Sequence, residues 1–157
     1  MPIPALDNRG LLPGGVHPGT LREIEQRFLF NQHRTDLYHQ VRTFIDGELR
    51  QKAFGLQLVL GGSFFSDKEH PADIEATVYL PSPMVIAHVD LMALNDGREN
   101  QRIKNAYRAD FYVSLMVVGC MNLGQFFQYV GPKTAHDKGL HEKDARGVIE
   151  VESWELG

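Results

Sequence analysis

LGGSFFSDKEHPADIEATV, residues 60 to 78, joins two predicted strands through a glycine turn. Its first residue closes the run FGLQLVL (Phe54 to Leu60), short, apolar and ended by Gly61-Gly62-Ser63, which is the pattern of a buried strand. From Asp73 to Tyr79 the sequence DIEATVY alternates. Side chains at i and i+2 of a strand share a face, so Ile74, Ala76 and Val78 take one side and Asp73, Glu75 and Thr77 the other. The carboxylates of Asp73 and Glu75 therefore project side by side, with Cα atoms about 7 Å apart, beside a glycine turn that lets a phosphate approach closely. A divalent cation carrying a nucleoside triphosphate needs that geometry. The residues between, Phe64 to Glu69, read as one helical turn whose N-terminal amides face the same place.

Toward the N-terminus, residues 1 to 19 hold four prolines and four glycines and end in LLPGGVHPG. Such an arm extends or turns instead of coiling, and Leu11, Leu12 and Val16 give it apolar surface to bury. Thr20 with Glu23 forms a capping box, and Leu21, Ile24 and Phe28 recur at helical spacing, predicting a short helix from about Leu21 to Leu29 that stops at Asn31. A longer helix is predicted from Thr35 or Asp36, with Leu37, Val41, Phe44, Ile45 and Leu49 on its core face. His33, Arg34, His39 and Arg42 fall between or opposite these positions and read as solvated.

Toward the C-terminus, Ser82-Pro83 starts a predicted helix with Val85, Val89 and Met92 as its apolar stripe, ending near Asn95-Asp96-Gly97. Arg98 to Arg108 is basic by count and reads as a surface helix leading into a strand. ADFYVSLMVVG, residues 109 to 119, carries the strongest strand signal in the chain, with Asp110 at its start. NLGQFFQYV, residues 122 to 130, reads as a short helix or an irregular apolar connection, its aromatic residues in the core. PKTAHDKGLHEKDARG, residues 132 to 147, has the composition of a mobile polar loop, and VIEVESW, residues 148 to 154, returns to alternation as an edge strand.

The chain of 157 residues fits one domain. Its 43% hydrophobic and 23% charged residues match a folded globular protein and argue against disorder. A net charge of -4 provides no overall field toward nucleic acid or anionic membrane. The one cysteine, Cys120, excludes an intramolecular disulfide, and its apolar setting predicts a buried, unreactive thiol. With no signal-peptide pattern at the start and no apolar run of membrane-spanning length, the expectation is a soluble cytoplasmic protein with no membrane partner. C-x-x-C, G-x-S-x-G, H-E-x-x-H and the phosphate-loop lysine are missing, which removes the commonest zinc, serine hydrolase and nucleoside triphosphatase readings.

Phosphoryl and nucleotidyl transfer need phosphates positioned and their charge neutralised, mostly by metal. Asp73 and Glu75 supply the hard oxygen ligands that magnesium prefers. Asp110 is the best placed third carboxylate and Asp90 the second candidate, although Asp90 falls in a predicted helix. Gly62 and Ser63 are candidate phosphate contacts. So is Lys68, weighed against a solvated turn lysine.

Gly62-Ser63, nine intervening residues and then Asp73-Ile74-Glu75-Ala76 resembles the signature of the nucleotidyltransferase superfamily related to DNA polymerase beta. LPGGVHPGTLREIEQRF, GSFFSDKEHPADIE and FFQYVGPKTAHDKGLHEKDARGVIEV extend the likeness to small bacterial and phage nucleotidyltransferase-like proteins across most of the chain. Two departures from the signature stand out. Glu75 takes a position where Asp is more frequent, and the third carboxylate rests on strand context alone. The resemblance implies an α/β (α+β) fold of minimal nucleotidyltransferase type, a mixed sheet with helices packed mainly on one face. It further implies that Gly62 and Ser63 hold the phosphates of a nucleoside triphosphate, and that Asp73, Glu75 and Asp110 form a Mg2+ or Mn2+ triad transferring a nucleotide monophosphate to a hydroxyl on protein, RNA or a small molecule. The same resemblance extends to members that act as binding proteins, including antitoxins, phage-defence components and regulatory subunits.

Overall fold

The computed structural model describes residues 2 to 156; Met1 and Gly157, the ends of the expected single domain, lie outside the described residues. In chain order the elements are β1 (Gly15–Gly19), α1 (Leu21–Phe28), α2 (Gln32–Phe44), a π-helical turn (Ile45–Leu49) continuing into α3 (Arg50–Lys52), β2 (Gln57–Gly61), a 3-10 turn (Ser63–Phe65) and β3 (Ile74–Pro81). After short turns come α4 (Val89–Met92), α5 (Gly97–Tyr107), β4 (Ala109–Met116), α6 (Leu123–Phe126), α7 (Gly131–Lys138) and β5 (Gly147–Val151). The strands form one five-stranded mixed sheet in the order β1-β5-β2-β3-β4. β2 is antiparallel to both β3 and β5, whereas β1 pairs with β5 and β3 with β4 in parallel. The fold is thus α+β with an open mixed sheet.

The two-residue period expected from Asp73 onward decides which side of this sheet is dry. Leu58, Leu60, Ile74, Ala76, Val78, Phe111, Val113, Ile149 and Val151 are buried against Ile24 and Phe28 of α1, Leu37, Val41 and Phe44 of α2, and Ile103 of α5. Parallel β3 and β4 require a crossover. The segment Ser82 to Arg108 makes it and lays α5 on the same side. The opposite face is covered only in part, by Phe127 and Leu123 packing on Val59, Val148 and Tyr79. The helices therefore lie mainly on one face, as expected, and the partly open face carries the residues treated below.

Several local readings change. Asn31 does not stop α1; its side chain accepts from the Arg34 amide and begins α2. Arg34, expected in solvent, is fully buried, because its guanidinium donates to the carbonyls of Phe28, Phe64 and Lys68, which would otherwise lack partners in the interior. It also stacks 4.3 Å from the Phe30 ring centre and 4.4 Å from that of Phe64, tying the loop after β2 to α2. The helix expected from Ser82 breaks into short turns. Its buried residues, His88, Leu91 and Leu94, recur every third position, which suits tighter 3-10 winding. Asp96 opens α5 as N-cap instead of ending the preceding helix.

At the sheet edges, VIEVESW does not supply an edge strand. β5 is internal, and the N-terminal arm contributes the edge strand β1. The other edge, β4, has ladder groups engaged by side chains: Asn95 accepts from the Val113 amide at 2.9 Å and Asn100 donates to the Phe111 carbonyl at 2.9 Å. The first half of the polar segment from Pro132 lies in the helix α7, where Lys138 reaches the Arg9 carbonyl at 2.6 Å and Asp67 at 2.7 Å, while residues 139 to 146 are turn and loop. Cys120 is exposed, not buried, since the chain has left the sheet after Met116 and nothing packs over the turn. Phe127 is core, whereas Phe126 and Tyr129 are exposed. No helix among the described residues is long and apolar enough to cross a membrane.

Candidate functional site

Parallel pairing of β3 and β4 sets Glu75 directly beside Asp110 in register. Asp73 immediately precedes β3, two residues before Glu75 and hence on the same face. Antiparallel pairing places Gly61 opposite Glu75 from the other side. Gly62 then turns at φ 95°, a left-handed value that glycine adopts without steric cost, and a Cβ there would stand 3.2 Å from Cγ of Glu75. The predicted carboxylates and the glycine turn thus meet on the partly open face of the sheet, carried by three adjacent strands. Ser63 opens a single 3-10 turn, shorter than the turn expected to Glu69, and the Phe65 amide is spent on the Gly62 carbonyl at 3.2 Å. Ser63 and Lys68 line a cavity of about 170 Å³ together with Thr134, Asp137 and Lys138. Among the described residues, Lys68 makes no ion pair with Asp73, Glu75 or Asp110. Asp90 lies exposed on α4, outside this cluster.

Two cations that the sequence reading had placed in solvated segments face the acids. Lys104 of α5 extends its ammonium to within 3.5 Å of Asp73 Oδ2 and 4.0 Å of Asp110 Oδ2. Arg146, the residue before β5, is buried; its Nε donates to the Phe127 carbonyl at 3.1 Å and a terminal nitrogen meets Glu75 Oε2 at 3.3 Å. The only local signal for Arg146 is a basic residue abutting an apolar strand, and for Lys104 there is none. Both depend on long-range placement.

Electrostatically the centre is Glu75. Burial pushes its carboxyl up to about 7; Arg146 opposes the rise, while Asp110 and Asp73 add to it. Burial also lowers the Arg146 guanidinium from its ordinary value, with Glu75 opposing that change. Both shifts have one cause: two charges partly removed from water, each incompletely repaid by the other. Tyr112, two residues along β4 from Asp110 and on the same face, has its hydroxyl raised by burial and then by Asp110. Deeper along the same face, Thr77 and Ser114 hydroxyls share a 2.7 Å hydrogen bond, and Ser114 accepts from the Leu123 amide at 3.0 Å, fixing the start of α6 over the sheet.

Among the described residues, no three His, Cys, Asp or Glu side chains converge on a single metal position. Glu75 is turned toward Arg146, and the two aspartates share one ammonium instead. That ammonium balances the charge of both aspartates. Asp73 and Asp110 are the two carboxylates that could hold a hard divalent ion, where the resemblance implies three.

No curated protein and no solved structure matches the chain. The sequence does match the family described as "Family of unknown function (DUF6932)" over residues 4–152, a span that includes every strand and every candidate residue of this site, and the chain belongs to that family.

Proposed function

We propose that the protein is a metal-dependent nucleotidyltransferase that moves a nucleotide monophosphate from a nucleoside triphosphate to a hydroxyl acceptor. The observation that carries this reading is the parallel register of Glu75 with Asp110, with Asp73 on the same face and Gly62 against Glu75. It brings the acidic pair, the third acid and the glycine turn together from separated parts of the chain.

A magnesium or manganese ion, when bound, would neutralise charge at the phosphates. Asp73 and Asp110 would hold it through their carboxylate oxygens. Gly62, lacking a Cβ, leaves room for phosphate to approach the backbone, and the Ser63 hydroxyl donates to it. The acceptor oxygen forms a bond to the α-phosphorus as the bond to the β-phosphate oxygen breaks. Pyrophosphate leaves, and the acceptor proton passes to a carboxylate oxygen of Asp110. Arg146 keeps Glu75 oriented and balances its charge.

The test is incubation with each labelled nucleoside triphosphate and Mg2+ or Mn2+. Wild type is expected to bind or transfer label in a metal-dependent way, and Asp73→Ala to lose at least 100-fold, in line with removal of a group that stabilises transition-state charge. Equal behaviour of the two proteins would remove the catalytic reading.

A second reading, a nucleotidyltransferase-like binding protein such as an antitoxin or regulatory subunit, draws on the ion pairs of Lys104 and Arg146, which occupy the carboxylates in the free chain. It expects no label transfer with any nucleotide, together with retained binding of a protein or RNA partner by Asp73→Ala.

A further inference from the structure

We propose that the exposed apolar surface running from the end of β4 along the outer side of α6 is where a second copy of this chain docks, making a symmetric dimer. The proposal does not depend on the nucleotidyl-transfer reading.

Local structure gathers this surface. Met116 ends β4 two residues after Ser114 and so takes the same, partly open side of the sheet, where the Leu123 amide donates to the Ser114 hydroxyl. The chain then leaves the sheet through a turn closed by the Cys120 amide on the Val117 carbonyl at 3.1 Å. It returns at α6, capped by Asn122, whose carbonyl accepts from the Phe126 amide at 3.0 Å. Phe127 packs down on Val59 and Val148, which leaves its neighbour Phe126 facing water. Met116, Val117, Val118, Met121, Phe126 and Tyr129 are thereby exposed within one short stretch, from 41% at Val117 to full exposure at Val118.

Size and charge determine what covers them. At these exposures the six side chains present roughly 600 Å² of apolar surface, the upper end of what a monomer leaves in water and close to the 800 Å² that each partner gives to a standard interface. From Phe111 to Pro132 no Asp, Glu, Lys, Arg or His occurs, the longest such interval in the chain. A two-fold interface sets a patch against itself, so any charge near the axis meets its like. This stretch has none to oppose, whereas the net charge of -4 borne by the rest makes copies repel elsewhere. A membrane surface would call for Lys or Arg bordering the apolar residues, and an electrostatically steered partner for charge of one sign. Pairing through the free edge of β4 is also closed off, since Asn95 and Asn100 occupy the Val113 amide and the Phe111 carbonyl. Side chains therefore make the contact. Met116 and Met121, unbranched and adaptable, fill the gaps between two identical surfaces.

Sedimentation equilibrium of the full chain from about 1 to 100 µM tests this, a range suited to interfaces of standard size. The proteins are wild type, Val118→Asp, Phe126→Asp and, as a control, Ile86→Asp, which charges an exposed apolar residue outside the patch. Circular dichroism checks each for fold. Wild type and Ile86→Asp are expected at twice the monomer mass at the upper concentration, and both patch variants to dimerise about 100-fold more weakly, because the new carboxylates face each other across the axis. Exposed Cys120 gives a second readout: its reaction with a maleimide should slow at the upper concentration in wild type and keep one rate in Val118→Asp. Wild type that stays at monomer mass throughout overturns the proposal, and binding of that monomer to phosphatidylcholine vesicles would assign the patch to a membrane instead. A dimer that both patch variants retain, or one whose Cys120 reacts at the monomer rate, places the contact elsewhere and also overturns it. Equal weakening by Ile86→Asp overturns it as an effect of added charge in general.

Discussion

Glu75 concentrates the chemistry at the residue scale. Burial raises its folded-state value from 4.5 to about 7, so the folded chain holds this proton more tightly than the unfolded chain does. The resulting stabilisation is fully present below 4.5 and is lost as pH rises through about 7. Glu75→Gln keeps the neutral shape and an oxygen acceptor for Arg146. It should raise stability at pH 8 by about 1–3 kcal/mol in urea titrations, with the difference shrinking toward zero at pH 4. An offset that does not change with pH would mean that Glu75 titrates as an ordinary surface acid. The acidic pair was legible because a strand has a period of two. Its electrostatic state was not, because the neighbouring Asp110 and the approaching Arg146 come from β4 and from the segment just before β5.

Among the elements, α2 and the loop after β2 behave as a unit through Arg34. The guanidinium is buried among the Phe28, Phe64 and Lys68 carbonyls, and burial brings its value down to about 10. Arg34→Met removes the donors and leaves those carbonyls unpaired, a loss of about 3 kcal/mol or more by the usual cost of unsatisfied buried groups. Thermal denaturation measures that loss, and amide exchange in residues 63 to 69 should quicken more than exchange in β3. Uniform quickening across both would show that Arg34 serves the core generally and not this loop. Helical periodicity identified the apolar faces of α1 and α2 correctly, since each contains several buried residues at regular spacing. Arg34 escaped that logic because a charged residue at a core position has no local signature. Its partners lie 6, 30 and 34 residues away.

For the whole molecule, the N-terminal arm is structural. Ile3, Leu11 and Leu12 are buried, and β1 runs parallel along β5 from Gly15↔Gly147 to Gly19↔Val151. Deleting residues 1 to 19 would strip β5 of its outer neighbour and remove three buried apolar side chains, each contributing roughly 1.5–3 kcal/mol by burial. Set against a typical stability of about 5–15 kcal/mol, this truncation is expected to abolish the cooperative melting transition seen by circular dichroism. A cooperative transition within a few degrees of wild type would contradict it.

By itself the sequence determined the pair of strands flanking the glycine turn, the shared face of Asp73 and Glu75, the capped start of α1 and the strong strand bearing Asp110. All of these depend on spacing within a few residues, where backbone geometry dictates side-chain direction. Only the tertiary structure decided that β5 lies inside the sheet, that Arg34 is buried, that Lys138 reaches Arg9 and Asp67 from α7, and that Lys104 and Arg146 face the acids. Each of these requires partners distant in the chain. Sequence periodicity carries no information about which distant carbonyl or carboxylate a basic side chain will find.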